Sequence, residues 1–81
     1  MHVRIRLFAR LRDLAGASDL ERDLADASSA GDAWSALVTE FPRLGDYTRS
    51  ISCAVNEEYA RMTTTLREGD EVAFLPPVSG G

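Results

Sequence analysis

The chain has 81 residues, of which 44% are hydrophobic and 27% are charged, and its formal net charge is −4. This length suits one domain with a small core, which argues against an enzyme built around a deep internal pocket. The negative charge makes nucleic acid a poor partner. No apolar segment has the length of a membrane span or the form of a secretory leader, so we expect a cytoplasmic protein with no membrane partner.

The first predicted element is a half-buried strand over His2–Phe8. Its side chains alternate, with Val3, Ile5 and Leu7 toward one face and Arg4, Arg6 and Phe8 toward the other.

A short helix is predicted over Ala9–Ala15, where apolar residues recur at helical spacing. Gly16 follows at a position that suits the left-handed backbone of a helix end. Ser18–Ala27 alternates only weakly and is ambiguous between strand and helix. We interpret it as a return strand that pairs with the first strand.

The main helix is predicted to begin after Ser29, which can cap it together with Asp32 three residues later. Apolar side chains then form one stripe: Ala30, Ala33, Leu37 and Phe41, with Trp34 and Val38 beside it. Pro42 should stop the helix. We expect Trp34 to be a core residue rather than a ligand-stacking one.

The second half of the chain is predicted to contain three strands. Arg43–Ser50 is polar and irregular. The strands are Ile51–Val55, Tyr59–Met62 and Glu71–Leu75, with turns at Asn56–Glu58 and Glu68–Asp70. Cys53, the only cysteine, should be a buried thiol, and no internal disulfide is possible. The element order predicts an α+β fold of the β-grasp (ubiquitin-like) type, a mixed sheet curled around one main helix, although another α+β roll would fit the periodicity.

The C-terminal segment is the most informative part of the sequence. Pro76 and Pro77 end strand pairing and extend the chain, and Gly80 and Gly81 can enter a passage too narrow for other residues. We therefore divide the chain into a β-grasp domain over residues 1–77 and a flexible tail over 78–81, with an extended reach of about 13 Å. A terminal carboxylate becomes reactive once ATP converts it to an acyl-adenylate, which a sulfur donor can turn into a thiocarboxylate.

Three segments resemble the MoaD-type sulfur carriers, the small subunits of molybdopterin synthase: LFARLRDLAG (7–16), AVN (54–56) and EGDEVAFLPPVSGG (68–81). The resemblance implies that Gly81 is adenylated and thiocarboxylated and, with Gly80, enters the active sites of partner proteins. These partners are an adenylyltransferase related to ubiquitin-activating enzymes, which uses ATP, and the large synthase subunit, usually in a heterotetramer. Sulfur would pass to cyclic pyranopterin monophosphate during molybdenum cofactor biosynthesis. The small subunit would hold no permanent cofactor or metal and would not be catalytic alone.

A docking surface is predicted beside the tail. Phe8 and Leu75 lie on the faces opposite the core residues of their strands. If those strands are neighbours, as the resemblance implies, the two side chains form an exposed apolar patch. Tyr59 is a further candidate for this patch. The predicted partner-binding residues are Phe8, Tyr59, Leu75, Pro76, Pro77 and Val78.

Two other functions share the same tail chemistry. The chain could carry sulfur for another pathway, such as that of thiamine or cysteine, or it could be a ubiquitin-like modifier that forms isopeptide bonds with target lysines. It contains no lysine of its own, so it could not build chains on itself. A self-contained enzyme is disfavoured, because one histidine and one cysteine suggest neither a catalytic pair with orienting partners nor a metal site.

Overall fold

A computed structural model describes residues 1–77 of the protein; the predicted tail over 78–81 lies outside the described residues. The elements are β1 His2–Leu7, α1 Ala9–Ala15, β2 Asp19–Asp23, α2 Ala30–Glu40, a 3-10 helix Pro42–Tyr47, β3 Ser52–Val55, β4 Glu58–Ala60 and β5 Glu71–Leu75. This order confirms the predicted succession of strands and helices. No helix within residues 1–77 is long and apolar enough to cross a membrane.

The five strands of the described chain form one mixed sheet in the order β2-β1-β5-β3-β4. β1 and β5 are parallel neighbours in its centre, and the other pairs are antiparallel. The return strand that was ambiguous in sequence is therefore confirmed as β2. This sheet, with α2 packed on one face, is the predicted β-grasp arrangement.

The core lies between α2 and the inner face of the sheet. Trp34 of α2 and Phe74 of β5 are buried against each other, with ring centroids 5.1 Å apart. The indole Nε1 of Trp34 donates a hydrogen bond to Thr48 Oγ1 at 3.0 Å, which satisfies its one polar group. The predicted core role of Trp34 is confirmed. The other buried residues are Val3, Ile5, Leu7, Leu11, Ala30, Ala33, Leu37, Leu44, Cys53, Leu66 and Val72.

The start of α2 follows from its local sequence. Asp32 N–H donates to Ser29 Oγ at 3.1 Å, and Ser29 N–H donates to Asp32 Oδ2 at 2.9 Å, forming the predicted reciprocal cap. Two further N–H groups of this first turn, from Ala30 and Gly31, donate to carbonyls of the segment between β4 and β5. The helix start is thereby tied to a distant part of the chain.

The sequence prediction was wrong about one segment and about several strand ends. The strands predicted over His2–Phe8, Ser18–Ala27 and Ile51–Val55 are observed as His2–Leu7, Asp19–Asp23 and Ser52–Val55. Arg43–Ser50 is not irregular throughout, since a 3-10 helix occupies Pro42–Tyr47 and buries Leu44. The fourth strand covers Glu58–Ala60 rather than Tyr59–Met62, and it begins at Glu58 because Val55 and Glu58 pair directly across a two-residue turn. The alternation of apolar and polar residues does not specify the register of two paired strands, so it could not predict the length of this turn.

Cys53 is buried, as predicted, and its Sγ donates to the carbonyl of Ala60 at 3.3 Å. Burial raises the pKa of its thiol, so the nucleophilic thiolate is disfavoured. Its role is therefore structural.

Candidate docking surface

The face of the sheet opposite α2 carries the candidate site. Strand register places one residue from each of four strands in a row across this face: Arg6 on β1, Ala73 on β5, Ala54 on β3 and Tyr59 on β4. Since side chains alternate along each strand, these residues point away from the core, which their inward neighbours form. The open face is thus assembled from strands that are distant in sequence.

A shallow hollow of about 220 Å³ lies on this open face. Its lining residues are Arg6, Phe8, Ala54, Glu57, Tyr59, Glu71, Ala73 and Leu75. Two directly paired alanines, Ala54 and Ala73, leave space between the larger side chains. Phe8 and Tyr59 are 36% and 81% exposed, which is unusual for large apolar or aromatic side chains and is typical of an interaction surface.

Backbone geometry and an arginine both position Phe8. Phe8 is the N-cap of α1 in an extended conformation, and Ala9 directly after it has a positive φ of 50°. The guanidinium carbon of Arg6 lies 5.2 Å from the centroid of the Phe8 ring, a cation–π distance. The ring is therefore held on the open face although strand β1 has ended.

Two carboxylates of the same chain form ion pairs with Arg6. Its Nε lies 3.4 Å from Asp19 Oδ1 on β2 and 3.8 Å from Glu71 Oε1 on β5. Exposed pairs at these distances contribute little to stability. Their effect on the site is to offset positive charge at one edge of the hollow.

A second charged group lies further along β1 and β2. His2 Nε2 is 3.0 Å from Glu21 Oε1, and His2 Nδ1 is 3.2 Å from Asp23 Oδ1. Hydrogen bonding to Glu21 and then to Asp23 raises the pKa of His2 above its ordinary value of 6.5. This cluster is not part of the hollow, and it links the two strands at the other end of the sheet.

The structure brings together three of the predicted partner-binding residues, Phe8, Tyr59 and Leu75, around the hollow. Pro76, which is half-buried, and the exposed Pro77 follow directly after Leu75. The chain therefore leaves the sheet at the edge of the hollow. Val78, Gly80 and Gly81 lie outside the described residues.

Sequence reasoning missed five lining residues: Arg6, Ala54, Glu57, Glu71 and Ala73. Alternation could have identified Arg6 and Ala73, since they share the outward faces of their strands with Phe8 and Leu75. Ala54 and Glu57 could not be found without knowing that β3 pairs with β5. A small residue on an outward face cannot be identified from the sequence as lining a hollow, because the hollow forms only when strand pairing places larger side chains around it.

Known proteins with similar sequences or folds include molybdopterin synthase sulfur carrier subunits and small archaeal modifier proteins. The molybdopterin synthase sulfur carrier subunit of Arabidopsis thaliana is 35% identical over the whole of this chain and 84% of its own length. The crystal structure of SAMP1 from Haloferax volcanii, a small archaeal modifier protein, has a TM-score of 0.85 and 33% identity, with full coverage of both chains. A complex of subunits 1 and 2 of the molybdopterin-converting factor from Helicobacter pylori contains the same fold, with a TM-score of 0.68, 24% identity and full coverage of both chains.

These likenesses confirm the resemblance carried by the three sequence segments. The model of the ThiS family matches residues 5–81, which include the second half of β1, every later strand and helix of the described chain, and the hollow. A match of this extent shows that the chain belongs to the ThiS family.

Proposed function

We propose that this protein is the sulfur-carrier subunit of a molybdopterin synthase. The observation that carries the proposal is the place where the described chain leaves the sheet. β5 ends at Leu75 on the edge of an exposed apolar hollow, and Pro76–Pro77 lead from there toward Gly81. A partner that covers the hollow would therefore be in reach of the C-terminal segment. The similarity to molybdopterin synthase sulfur carriers over the whole chain supports the same function.

The reactive group in this proposal is the carboxylate of Gly81. A partner adenylyltransferase uses ATP to join the carboxylate to AMP, with release of pyrophosphate. A sulfur donor then displaces AMP from the acyl carbon and leaves a thiocarboxylate, whose sulfur passes to cyclic pyranopterin monophosphate. The carrier contributes delivery and orientation, and the large synthase subunit supplies the catalytic groups.

Docking is assigned to the hollow, with Phe8, Tyr59 and Leu75 as its apolar contacts and Pro76, Pro77 and Val78 leading into the partner. Large, exposed apolar side chains around a depression can bury area against a complementary protein surface. The proposed partners are the adenylyltransferase and the large synthase subunit. The complex of two molybdopterin-converting factor subunits from Helicobacter pylori supports an assembly of the second kind.

Intact mass spectrometry tests the chemistry directly. After incubation with ATP, a cognate adenylyltransferase and a sulfur donor, the protein should gain the mass difference between sulfur and oxygen. The loaded protein, mixed with the large subunit and cyclic pyranopterin monophosphate, should then yield the dithiolene of molybdopterin.

Deletion of Gly81 is the matched control for this experiment. The shortened chain should lose sulfur loading and transfer completely. Its terminal carboxylate is on Gly80, one residue too close to the domain to occupy the adenylation site of the partner enzyme. Its unfolding midpoint should equal that of the full chain, since the core between α2 and the sheet is built from residues well before the deleted one. Normal transfer by the shortened chain would refute the mechanism.

A protein modifier is the second candidate, and the likeness to SAMP1 favours it. Both functions begin with adenylation of the same glycine and diverge at the acceptor. Peptides from the host that carry this tail on a lysine side chain would support modification. Product formation in the reconstituted synthase together with absence of such peptides would support the carrier alone.

A further inference from the structure

A strained turn lies beside the hollow. β3 and β4 are joined by two residues, Asn56 and Glu57, whose φ angles are 51° and 70°. Two-residue hairpin turns with positive φ at both positions strongly favour Asn followed by Gly. Glutamate at the second position is disfavoured, because its Cβ crowds the backbone in the left-handed conformation.

The two turn residues differ in what their side chains do for the fold. Asn56 Oδ1 accepts from Glu71 N–H at 3.0 Å, and Asn56 Nδ2 donates to Asp70 Oδ1 at 2.9 Å, so its side chain ties the turn to β5. Glu57 is exposed, and within residues 1–77 its carboxylate forms no hydrogen bond or ion pair. The fold therefore provides no contact that offsets the strain at Glu57.

The position of Glu57 points to a role in binding instead. It lines the hollow together with Tyr59 and the alanine pair. The other charged residues of the lining, Arg6 and Glu71, lie within 3.8 Å of each other, so their charges are offset within the chain. Glu57 leaves a negative charge at the rim of an apolar depression.

We propose that Glu57 is a docking residue whose carboxylate pairs with an arginine or lysine side chain of a partner protein. An apolar side chain of the same partner fills the hollow. This inference rests on the proposed function, since the hollow is its docking surface. Charge complementarity at a rim chiefly increases the association rate and selects the partner. A residue kept at an energetic disadvantage beside a binding surface is the expected pattern when function and stability conflict.

The test measures binding of the purified large subunit of molybdopterin synthase from the same organism to the unaltered full chain and to five variants of it. Glu57→Gln should raise Kd about threefold to tenfold at low salt, and this difference should vanish near ~1 M salt, where screening is nearly complete. Glu58→Gln removes the same charge from the adjacent residue, which does not line the hollow, and should leave Kd unchanged. Leu75→Asp reports whether the hollow binds the partner at all.

Stability provides the second measurement. Glu57→Gly should raise the melting temperature by up to about 5 °C through relief of strain, while Kd increases as it does for Glu57→Gln. Ala27→Gly is the matched control, because Ala27 has a φ of 67° and does not line the hollow. It should raise the melting temperature similarly and leave Kd unchanged.

The outcomes separate this inference from the proposed function. Loss of binding by Leu75→Asp with unchanged binding by Glu57→Gln would overturn only the role of Glu57. A melting temperature that does not rise in Glu57→Gly, although it rises in Ala27→Gly, would overturn the argument from strain. Failure of the unaltered chain to bind the large subunit would overturn the proposed function, and the role of Glu57 with it.

Discussion

The two faces of the sheet are built from the same strands but present different side chains. The inner face presents large apolar side chains to α2, and Trp34 and Phe74 are nearly inaccessible there. The open face has alanines in its centre, aromatic side chains at its edges and charged residues around them. In β5, successive residues Phe74 and Leu75 belong to opposite faces, so the core and the proposed docking surface are one residue apart in the sequence. Changes to the inner face should therefore affect folding, and changes to the open face should affect binding.

The largest expected effect on stability comes from Phe74→Ala. Removal of a buried aromatic ring loses its transfer free energy and leaves a cavity beside Trp34, which lowers the free energy of unfolding by about 3–5 kcal/mol. Urea denaturation followed by Trp34 fluorescence measures this change. Leu75→Ala is the control from the other face and should lower the free energy of unfolding by less than half as much. Equal losses would show that the faces are not separated.

A charge placed in the hollow should weaken partner binding rather than folding. Leu75→Asp places a carboxylate among the apolar contacts, and burying it against a partner should weaken binding of the large subunit at least about tenfold, or ~1.4 kcal/mol. Calorimetric titration measures the Kd. Ser35→Asp adds the same charge to the exposed side of α2, on the other side of the sheet, and should not alter the Kd. Undiminished affinity of Leu75→Asp would show that the hollow is not an interface.

The smallest expected effect is a pH dependence at the end of β1 and β2. Because the folded pKa of His2 is raised above 6.5, its pairing with Glu21 and Asp23 stabilises the fold fully below about pH 6.5. This contribution is lost as pH rises through the folded pKa. The melting temperature of the unaltered chain should therefore fall slightly more than that of His2→Gln between about pH 6 and pH 8.

The double variant Glu21→Gln, Asp23→Asn removes the cause of the raised pKa and should show the same flattened pH dependence as His2→Gln. Identical pH profiles of the unaltered chain and His2→Gln would contradict this assignment. Binding to the large subunit should be unaffected by any of these changes, because the cluster does not line the hollow.

Local signals in the sequence predicted most of the fold. The cap formed by Ser29 and Asp32, the helix end at Gly16 and the strand over Glu71–Leu75 were all found where expected. Such features depend on residues within a few positions of one another. The 3-10 helix after Pro42 was missed because its burial of Leu44 depends on the packing of the folded core.

The candidate site was predicted only in part for the same reason. Phe8, Tyr59 and Leu75 were identified from outward-facing positions and from family resemblance, and their grouping required the parallel pairing of β1 with β5. Glu57 was interpreted as a simple turn residue. Its position beside the hollow follows from the pairing of β3 with β4 and β5.

The sequence by itself determined which face each strand residue occupies, where the main helix begins and that strand pairing ends at Pro76 and Pro77. These properties arise from side-chain alternation, local hydrogen bonds and restricted backbone angles, which act over short distances along the chain. Only the tertiary structure decided that Ala54 and Ala73 lie side by side and that Phe8, Glu57 and Leu75 surround them. That arrangement depends on pairing between strands far apart in sequence, which is set by burial of the whole core.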